Sequence, residues 1–299
     1  MAPWENALNF FIYDTLKIFL LLAVIVFGIS VLRTFFPPER TRKLLAHKRT
    51  YKGNIMAALL GIVTPFCSCS AVPLFLGFLE AGVPLGVTFS FLVSSPMINE
   101  VALIMLLGMF GIKIALIYVV SGLTIAIVSG LVIGKLNVEK LVMSDLLKER
   151  SYITSFNVKQ TWTSRLSYAS DYTIAIIKKV WLYIILGVGV GAWIHGYVPV
   201  GILAKYAGAH KWYAVPVATL IGIPLYSNAA GVIPLVTALT EKGVAMGTAL
   251  AFMMAVTALS LPEFMILKRV MRIKLILIFA GVVGLGIMIT GFLFNFILG

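Results

Sequence analysis

The chain carries one pattern twice. Residues 61–91 and 222–252 align without a gap at an offset of 161 positions, and glycine, proline and glutamate recur at equivalent points. The identical pairs include Gly61 and Gly222, Pro73 and Pro234, Glu80 and Glu241, Gly82 and Gly243, and Gly86 and Gly247. A duplicated unit of this length predicts a fold built from two related halves.

The composition places both halves in a membrane. Hydrophobic residues make up 61% of the chain and charged residues 12%, with a mean hydropathy of +1.04. The apolar runs do not alternate as β-barrel strands do, and most are long enough to cross a hydrocarbon core of about 30 Å as helices. We therefore predict an all-α, polytopic integral membrane protein with about eight apolar segments. These are residues 7–35, 54–79, 83–109, 112–134, 172–197, 212–240, 243–267 and 274–298.

The segments divide the chain into three parts. Membrane repeat 1 covers residues 1–134, a central polar loop covers 135–171, and membrane repeat 2 covers 172–299. Within the loop, Val138–Leu147 is amphipathic and is predicted to form a helix on the membrane surface.

The net charge of +13 does not indicate nucleic acid. Its basic residues lie in loops beside apolar segments, as the positive-inside bias and anionic lipid require. We expect a multi-pass protein of the cytoplasmic (inner) membrane, with the lipid bilayer and a small-molecule or ion substrate as its partners. Neither a phosphate-binding loop nor a dinucleotide fingerprint is present, so we expect no cofactor and no enzymatic activity.

The charged connections leave two topologies open. If all eight segments cross, residues 38–53 and 135–171 lie on opposite faces and the repeats are parallel. The positive-inside bias instead favours placing 38–53, 135–171 and 268–274 together in the cytoplasm. That arrangement requires the second segment of each half to re-enter rather than cross, and the repeats are then inverted, as in many transporters.

The first motif lies in Thr64–Leu74, where Pro65 and Pro73 enclose small hydroxyl and thiol side chains. A proline has no N–H, so the carbonyl four residues earlier loses its helical hydrogen bond. At membrane depth such an unbonded backbone group must be buried in protein or line a polar cavity. We therefore expect a discontinuous helix broken around four candidate substrate-binding residues. These are Cys67, Ser68, Cys69 and Ser70.

The two cysteines of the chain, Cys67 and Cys69, are also candidate metal ligands. Residues two apart share a side in extended backbone but point about 200° apart on a helix, so a paired site requires the predicted unwinding. Two converging thiolates suit soft species such as Cu(I), Zn(II) or a trivalent metalloid. Buried cysteine is also a common small apolar residue, and the spacing leaves both interpretations open.

The equivalent segment of the second half keeps the prolines but lacks the thiols. Pro224 and Pro234 are predicted to break the helix there, and Asn228 occupies the position of Cys67. Tyr226 and Asn228 are candidate substrate contacts, although Asn228 could equally form a hydrogen bond between helices.

The second motif places a carboxylate after a proline inside an apolar segment. In the first half it comprises Ser94, Ser95, Pro96, Asn99 and Glu100, of which the serines and Asn99 are candidate substrate contacts. In the second half Pro262 precedes Glu263. An intramembrane carboxylate is costly when ionised and indicates a proton carrier or cation ligand. Glu100 is the preferred candidate, because Glu263 could pair with the basic cluster at 268–274.

The chain resembles a known permease family at these two motifs. Residues 64–74 read TPFCSCSAVPL and residues 94–100 read SSPMINE, which is similar to the predicted permeases that include ArsP-type organoarsenical efflux proteins and YraQ-like proteins. The resemblance covers nearly the whole chain and implies a permease of the cytoplasmic membrane. For ArsP-type members it implies export of trivalent organoarsenicals, a role that carries over only to Cys67, Cys69 and Glu100.

The leading hypothesis is a proton-coupled secondary transporter that exports a small solute, such as a thiophilic metalloid or metal species. Two alternatives stay open. The first is a transmembrane thiol redox relay, because the cysteine motif also resembles CcdA-type electron carriers over a short stretch, and the second is a channel. The sequence does not determine the substrate, the coupling ion, the direction or the oligomeric state, and a homo-oligomer is compatible with it.

Overall fold

The computed structural model describes residues 3–35, 50–64, 68–80, 82–136, 138–142, 162–197, 213–225, 229–268 and 270–298. Within these ranges the regular structure is helical, as the apolar runs predict. The helices of the first half are α1 (Pro3–Phe35), α2 (Thr50–Val63), α3 (Ser68–Glu80), α4 (Leu85–Met97) and α5 (Glu100–Lys135).

The second half has helices at matching positions. They are α6 (Trp162–Tyr197), α7 (Ala214–Gly222), α8 (Ala229–Glu241), α9 (Met246–Ala258), α10 (Leu261–Leu267) and α11 (Ile273–Leu298). Both ends of α8 lie 161 positions after those of α3, and the same offset relates α9 to α4. Segments 54–79, 83–109, 212–240 and 243–267 therefore each contain two helices.

Among the described residues, three glycines with positive φ set sharp turns. Gly82 (φ 80°) follows α3 and Gly243 (φ 82°) follows α8. In both cases the amides of the glycine and of the next valine donate hydrogen bonds to carbonyls in the last turn of the helix, as in a Schellman motif. Gly111 (φ 81°, ψ 172°) divides α5 into a first arm, 100–110, and a second arm, 112–135. A residue with a Cβ is strained at such φ values.

Helices α2 and α3 form a hairpin, called here the first hairpin. Near the start of α2, Asn54 accepts a hydrogen bond from Ser90 of α4 at 2.7 Å, and near its end a Cβ on Gly61 would overlap Ser94. Helix α2 thus runs in the same direction as α4. Helix α3 runs back, because it starts near the end of α2 and ends at the turn that leads into α4.

Helices α7 and α8 correspond to the first hairpin and are called the second hairpin. A Cβ on Gly61 would lie 3.2 Å from the Phe91 carbonyl oxygen, and one on Gly222 would lie 3.1 Å from that of Phe252. Both residues of the second contact lie 161 positions after those of the first. The tight helix packing is thus the same at equivalent points.

The second arm of α5 packs antiparallel to α4. At one end a Cβ on Gly86 would lie 2.9 Å from the Cα of Gly134. At the other end the Tyr118 hydroxyl donates to the Met97 carbonyl at 2.7 Å. Helix α4 and the first arm of α5 therefore lead away from the hairpin turn, and the second arm returns.

The two halves meet with α11 antiparallel to α5. A Cβ on Gly286 would lie 3.2 Å from Ile125, and the rings of Phe279 and Phe89 are 5.5 Å apart. Phe89 lies at the level of Gly130, because the next residue of α4 contacts that glycine. Parallel helices would instead place Phe279 about 18 Å along the axis from Gly130.

Four segments of the described chain are long and apolar enough to cross a bilayer. They are Phe11–Gly28, Glu100–Lys135, Met246–Leu267 and Ile273–Leu298. In contrast, α2 has 14 residues and α3 has 13, which is fewer than the roughly 20 that a crossing needs.

The central polar loop differs from its prediction at both ends. Helix α6 begins at Trp162, so residues 162–171 are helical. The surface helix predicted from residue 138 is a single 3₁₀ turn, Val138–Leu141, and residues 143–147 lie outside the described ranges. Buried Val142 pairs with Met271 in an antiparallel bridge, so this end of the loop packs on the protein.

Candidate functional site

In each half, the end of the hairpin where its two helices join lies near a break between the next two helices. The first break is residues 98–99, between α4 and α5, and the second break is residues 259–260, between α9 and α10. At the second break, the Leu261 amide donates to the Ile223 carbonyl, just past α7, at 3.0 Å. Each half thus brings a hairpin end close to a helix interruption, where polar backbone is concentrated.

The polar groups at the first break are bonded to side chains of the same half of the chain. Asn99 begins α5 as its N-cap, and its side chain accepts a bond from the Ala102 amide at 2.7 Å. The Met97 carbonyl, at the end of α4, accepts the Tyr118 hydroxyl. Tyr118 is 1% exposed, so its hydroxyl satisfies a carbonyl that water would not reach.

Replacing Tyr118 by phenylalanine should lower the free energy of unfolding by about 1–2 kcal/mol, because the Met97 carbonyl would stay buried without its donor. Thermal unfolding of purified protein in detergent measures the change. The matched control is Tyr51→Phe, at a residue 59% exposed, which should stay within about 0.5 kcal/mol of wild type. Equal stability of the two variants would contradict the assigned role.

The second break has different groups at the equivalent positions. Ser260 corresponds to Asn99, but its buried hydroxyl makes no hydrogen bond. Phe279 corresponds to Tyr118 and has no hydroxyl to donate. Glu263 lies in the first turn of α10 and is 1% exposed. The two breaks are thus alike in backbone and different in chemistry.

The two predicted glutamates lie in opposite environments. Glu100 is exposed at the first residue of α5, whereas Glu263 is buried beside the second break. The sequence favours Glu100 because Glu263 could pair with the basic cluster, but the structure exposes Glu100 where α5 begins, just after the interruption at 98–99. The buried carboxylate of this pair is Glu263.

The cysteine motif is only partly described. Pro65, Cys67, Tyr226 and Asn228 lie outside the described residues. One helix ends at Val63 and the next begins at Ser68, so the helix is interrupted next to the predicted position. Ser68–Ser70 form the first turn of α3, so the extended backbone that a paired Cys67–Cys69 site requires does not include these three residues. No group of three or more His, Cys, Asp or Glu side chains that could hold a metal occurs within the described ranges.

The predicted helix-breaking prolines divide into two groups. Pro73 and Pro234 lie inside α3 and α8, so neither ends a helix. The other described prolines lie at helix ends: Pro96 next to last in α4, Pro224 just after α7, and Pro262 in the first turn of α10. Ser94 and Ser95 are buried in α4, where the Ser94 hydroxyl donates to the Phe91 carbonyl.

Sequence reasoning missed three polar residues that position the site. They are Asn54, Ser90 and Tyr118, which are all buried. The first two join the first hairpin to α4, and Tyr118 closes the first break. A signal was present, because each is a polar residue inside an apolar run, where an unpaired group is costly.

The long apolar helices and the shorter interrupted ones define a multi-pass membrane protein. The chain belongs to the predicted permease family of the ArsP type, whose family model matches residues 3–296. The resemblance noted in the sequence is thereby confirmed. Family membership makes the protein a membrane permease and agrees with a transporter rather than an enzyme.

Three relatives illustrate the family. The UPF0718 protein YraQ of Escherichia coli is 22% identical, over 97% of this chain and 81% of its own. The UPF0718 protein MJ0584 of Methanocaldococcus jannaschii is 23% identical over 83% of each chain. A Streptococcus mutans protein, named as a subunit of a two-component membrane permease complex, is 26% identical over 91% and 88%. No solved structure matches the chain.

Proposed function

We propose that this permease is a secondary transporter that moves a small solute by alternating access of two inverted repeats. The observation that carries the proposal is the contact between the central loop and the connection before α11. Val142 pairs with Met271, and the Arg272 amide donates to the Leu141 carbonyl at 2.9 Å. This contact supports placing the two stretches on one face of the membrane.

That contact favours the inverted topology over the parallel one. With eight full crossings, three segments separate residue 142 from residue 271, and the two would lie on opposite faces. If the second hairpin re-enters, only α6 and the α9–α10 pair cross between them, and the two residues share a face. The shortness of the hairpin helices and the antiparallel packing of α5 and α11 support the same topology.

In the proposed arrangement each half crosses three times and inserts one re-entrant hairpin. The crossings of the first half are α1, α4 with the first arm of α5, and the second arm of α5. An odd number of crossings inverts the second half. Residues 38–53, 135–171 and 268–274 then all face the cytoplasm, as the positive-inside bias favours.

The substrate site is proposed to lie where hairpin ends and helix breaks meet. Cys69 is the second residue of α3, at the end of the first hairpin, and Cys67 precedes it by two positions in the chain. We propose a small thiophilic solute, such as a trivalent metalloid, exported in exchange for a cation. Glu263 is the proposed coupling carboxylate, because it is the buried one.

Proteoliposomes that contain the purified chain should transport a trivalent organoarsenical. The double variant Cys67→Ser with Cys69→Ser should lose at least tenfold in rate, since losing both soft ligands should cost more than about 1.4 kcal/mol. Each single variant is measured beside it. If the double variant transports as well as wild type, the thiophilic substrate is wrong, and if no solute moves the transporter proposal itself fails.

A further inference from the structure

We propose that the second break is a binding site for a monovalent alkali cation, with Na⁺ as the ion it takes. Its use in coupling rests on the proposed transport function, whereas the binding of the ion does not. The site comprises the Ser260 hydroxyl, the Glu263 carboxylate and the last carbonyls of α9. Four observations carry the proposal.

The first observation is the state of Ser260. Its hydroxyl is buried in a residue 1% exposed and has no hydrogen-bond partner. The spacing Ser-x-x-Glu is that of a capping box, in which the hydroxyl would accept a bond from the first turn, yet no such bond is formed. A buried hydroxyl without a partner is costly, and a bound cation would satisfy its oxygen.

The second observation concerns the end of α9. In helical register the Thr257 carbonyl would accept the Leu261 amide, but that amide donates to the Ile223 carbonyl instead. The Ala258 carbonyl would accept from residue 262, which is proline and has no N–H. Two successive carbonyls therefore lose their helical donors, and such half-helix ends coordinate Na⁺ in transporters with broken helices.

The third observation is the contrast with the first break. There Asn99 accepts the amide of the first turn, and Tyr118 donates to the carbonyl at the end of α4. The second break has Ser260 and Phe279 at these positions, and it has Glu263 where the first break has Ala102. Compared with the first break, the second break lacks the hydroxyl donor to the helix before it and gains a carboxylate in the helix after it.

The fourth observation is the chemistry of the set. Carboxylate, hydroxyl and carbonyl oxygens are hard ligands and suit hard cations rather than soft ones. One carboxylate in the turn balances one positive charge, which favours a monovalent ion over Ca²⁺ or Mg²⁺. A proton would bind only to the carboxylate. The two carbonyls would still lack their helical donors, and the Ser260 hydroxyl would still lack a partner.

The test is thermal unfolding of the purified full-length protein in detergent, with NaCl compared against choline chloride at equal ionic strength and fixed pH. Sodium at ten times its Kd should raise the Tm by about 4 °C through preferential binding to the folded state. Glu263→Gln should abolish this shift and Ser260→Ala should reduce it. Ser260→Ala should still fold, because its hydroxyl has no bond to lose.

Matched controls separate the site from general effects. Glu241→Gln removes an exposed carboxylate, and Ser129→Ala removes a buried hydroxyl that bonds within its own helix; both should keep the full sodium shift. The proposal is overturned if wild type has the same Tm in sodium and choline, or if Ser260→Ala and Glu263→Gln both retain the shift. Sodium-independent transport by wild-type proteoliposomes would remove only the coupling role.

Discussion

Replacing Gly130 by alanine is expected to destabilise the protein by about 3 kcal/mol. The added Cβ would overlap the Ser90 hydroxyl and the Gly86 carbonyl, and would lie 2.6 Å from the Asn54 side-chain oxygen. The substitution therefore combines overpacking, at about 1–3 kcal/mol, with loss of the buried Ser90–Asn54 hydrogen bond. Thermal unfolding in detergent should show a Tm about 5–10 °C lower.

The matched control for this substitution is Gly108→Ala. Gly108 lies in the first arm of the same helix, and a Cβ there would meet nothing within 4 Å. Alanine reduces the freedom of the unfolded chain, so this variant should be as stable as wild type or up to about 1 kcal/mol more stable. A Gly130→Ala protein that unfolds at the wild-type temperature would show that α4 and α5 do not pack this closely.

Single cysteines at positions 80 and 241 should react with a membrane-impermeant thiol reagent from opposite faces of the membrane. The two glutamates there end the equivalent helices α3 and α8, and the proposed re-entrant hairpins enter from opposite sides. In a background with Cys67→Ser and Cys69→Ser, Glu80→Cys should react from the cytoplasm. Glu241→Cys should react from the outside, and each should be at least tenfold slower from the other face.

Two further cysteines calibrate the labelling. Lys113→Cys, just after the turn at Gly111, should react from the outside, and Lys268→Cys, after α10, should react from the cytoplasm; both residues are exposed. If positions 80 and 241 label from the same face, the hairpins do not enter from opposite sides. The inverted arrangement would then be wrong, whereas family membership would stand.

The apolar pattern was a good guide to helices and a weaker guide to their ends. It placed α11 within one residue, because a long run with little charge has only one way to bury its backbone polar groups in lipid. The helix-breaking role predicted from proline chemistry was wrong at Pro73, which lies inside α3. A proline in the second turn removes only the bond to the Cys69 carbonyl, which the start of α3 tolerates, so the helix continues through it.

Site residues were predictable where local chemistry decides and unpredictable where distant contacts decide. Glu263 stands out in the sequence as a charged residue next to a proline in an apolar segment. Which glutamate is buried depends instead on how α10 packs, and Glu100 at the equivalent end of the first half is exposed. The Tyr118 hydroxyl donates to the Met97 carbonyl beside the first break, 21 positions earlier in the chain. No local sequence pattern predicts a contact over that separation.

By itself the sequence determined the class of protein, the offset that relates its halves and the regions where helices are interrupted. These properties follow from side-chain polarity and backbone chemistry read over one or two helical turns. Only the tertiary structure decided the directions in which helices pack, since Val142 lies on Met271 and Gly286 on Ile125. A helix has the same apolar pattern whether it crosses or folds back, and contacts between residues far apart in the chain distinguish the two.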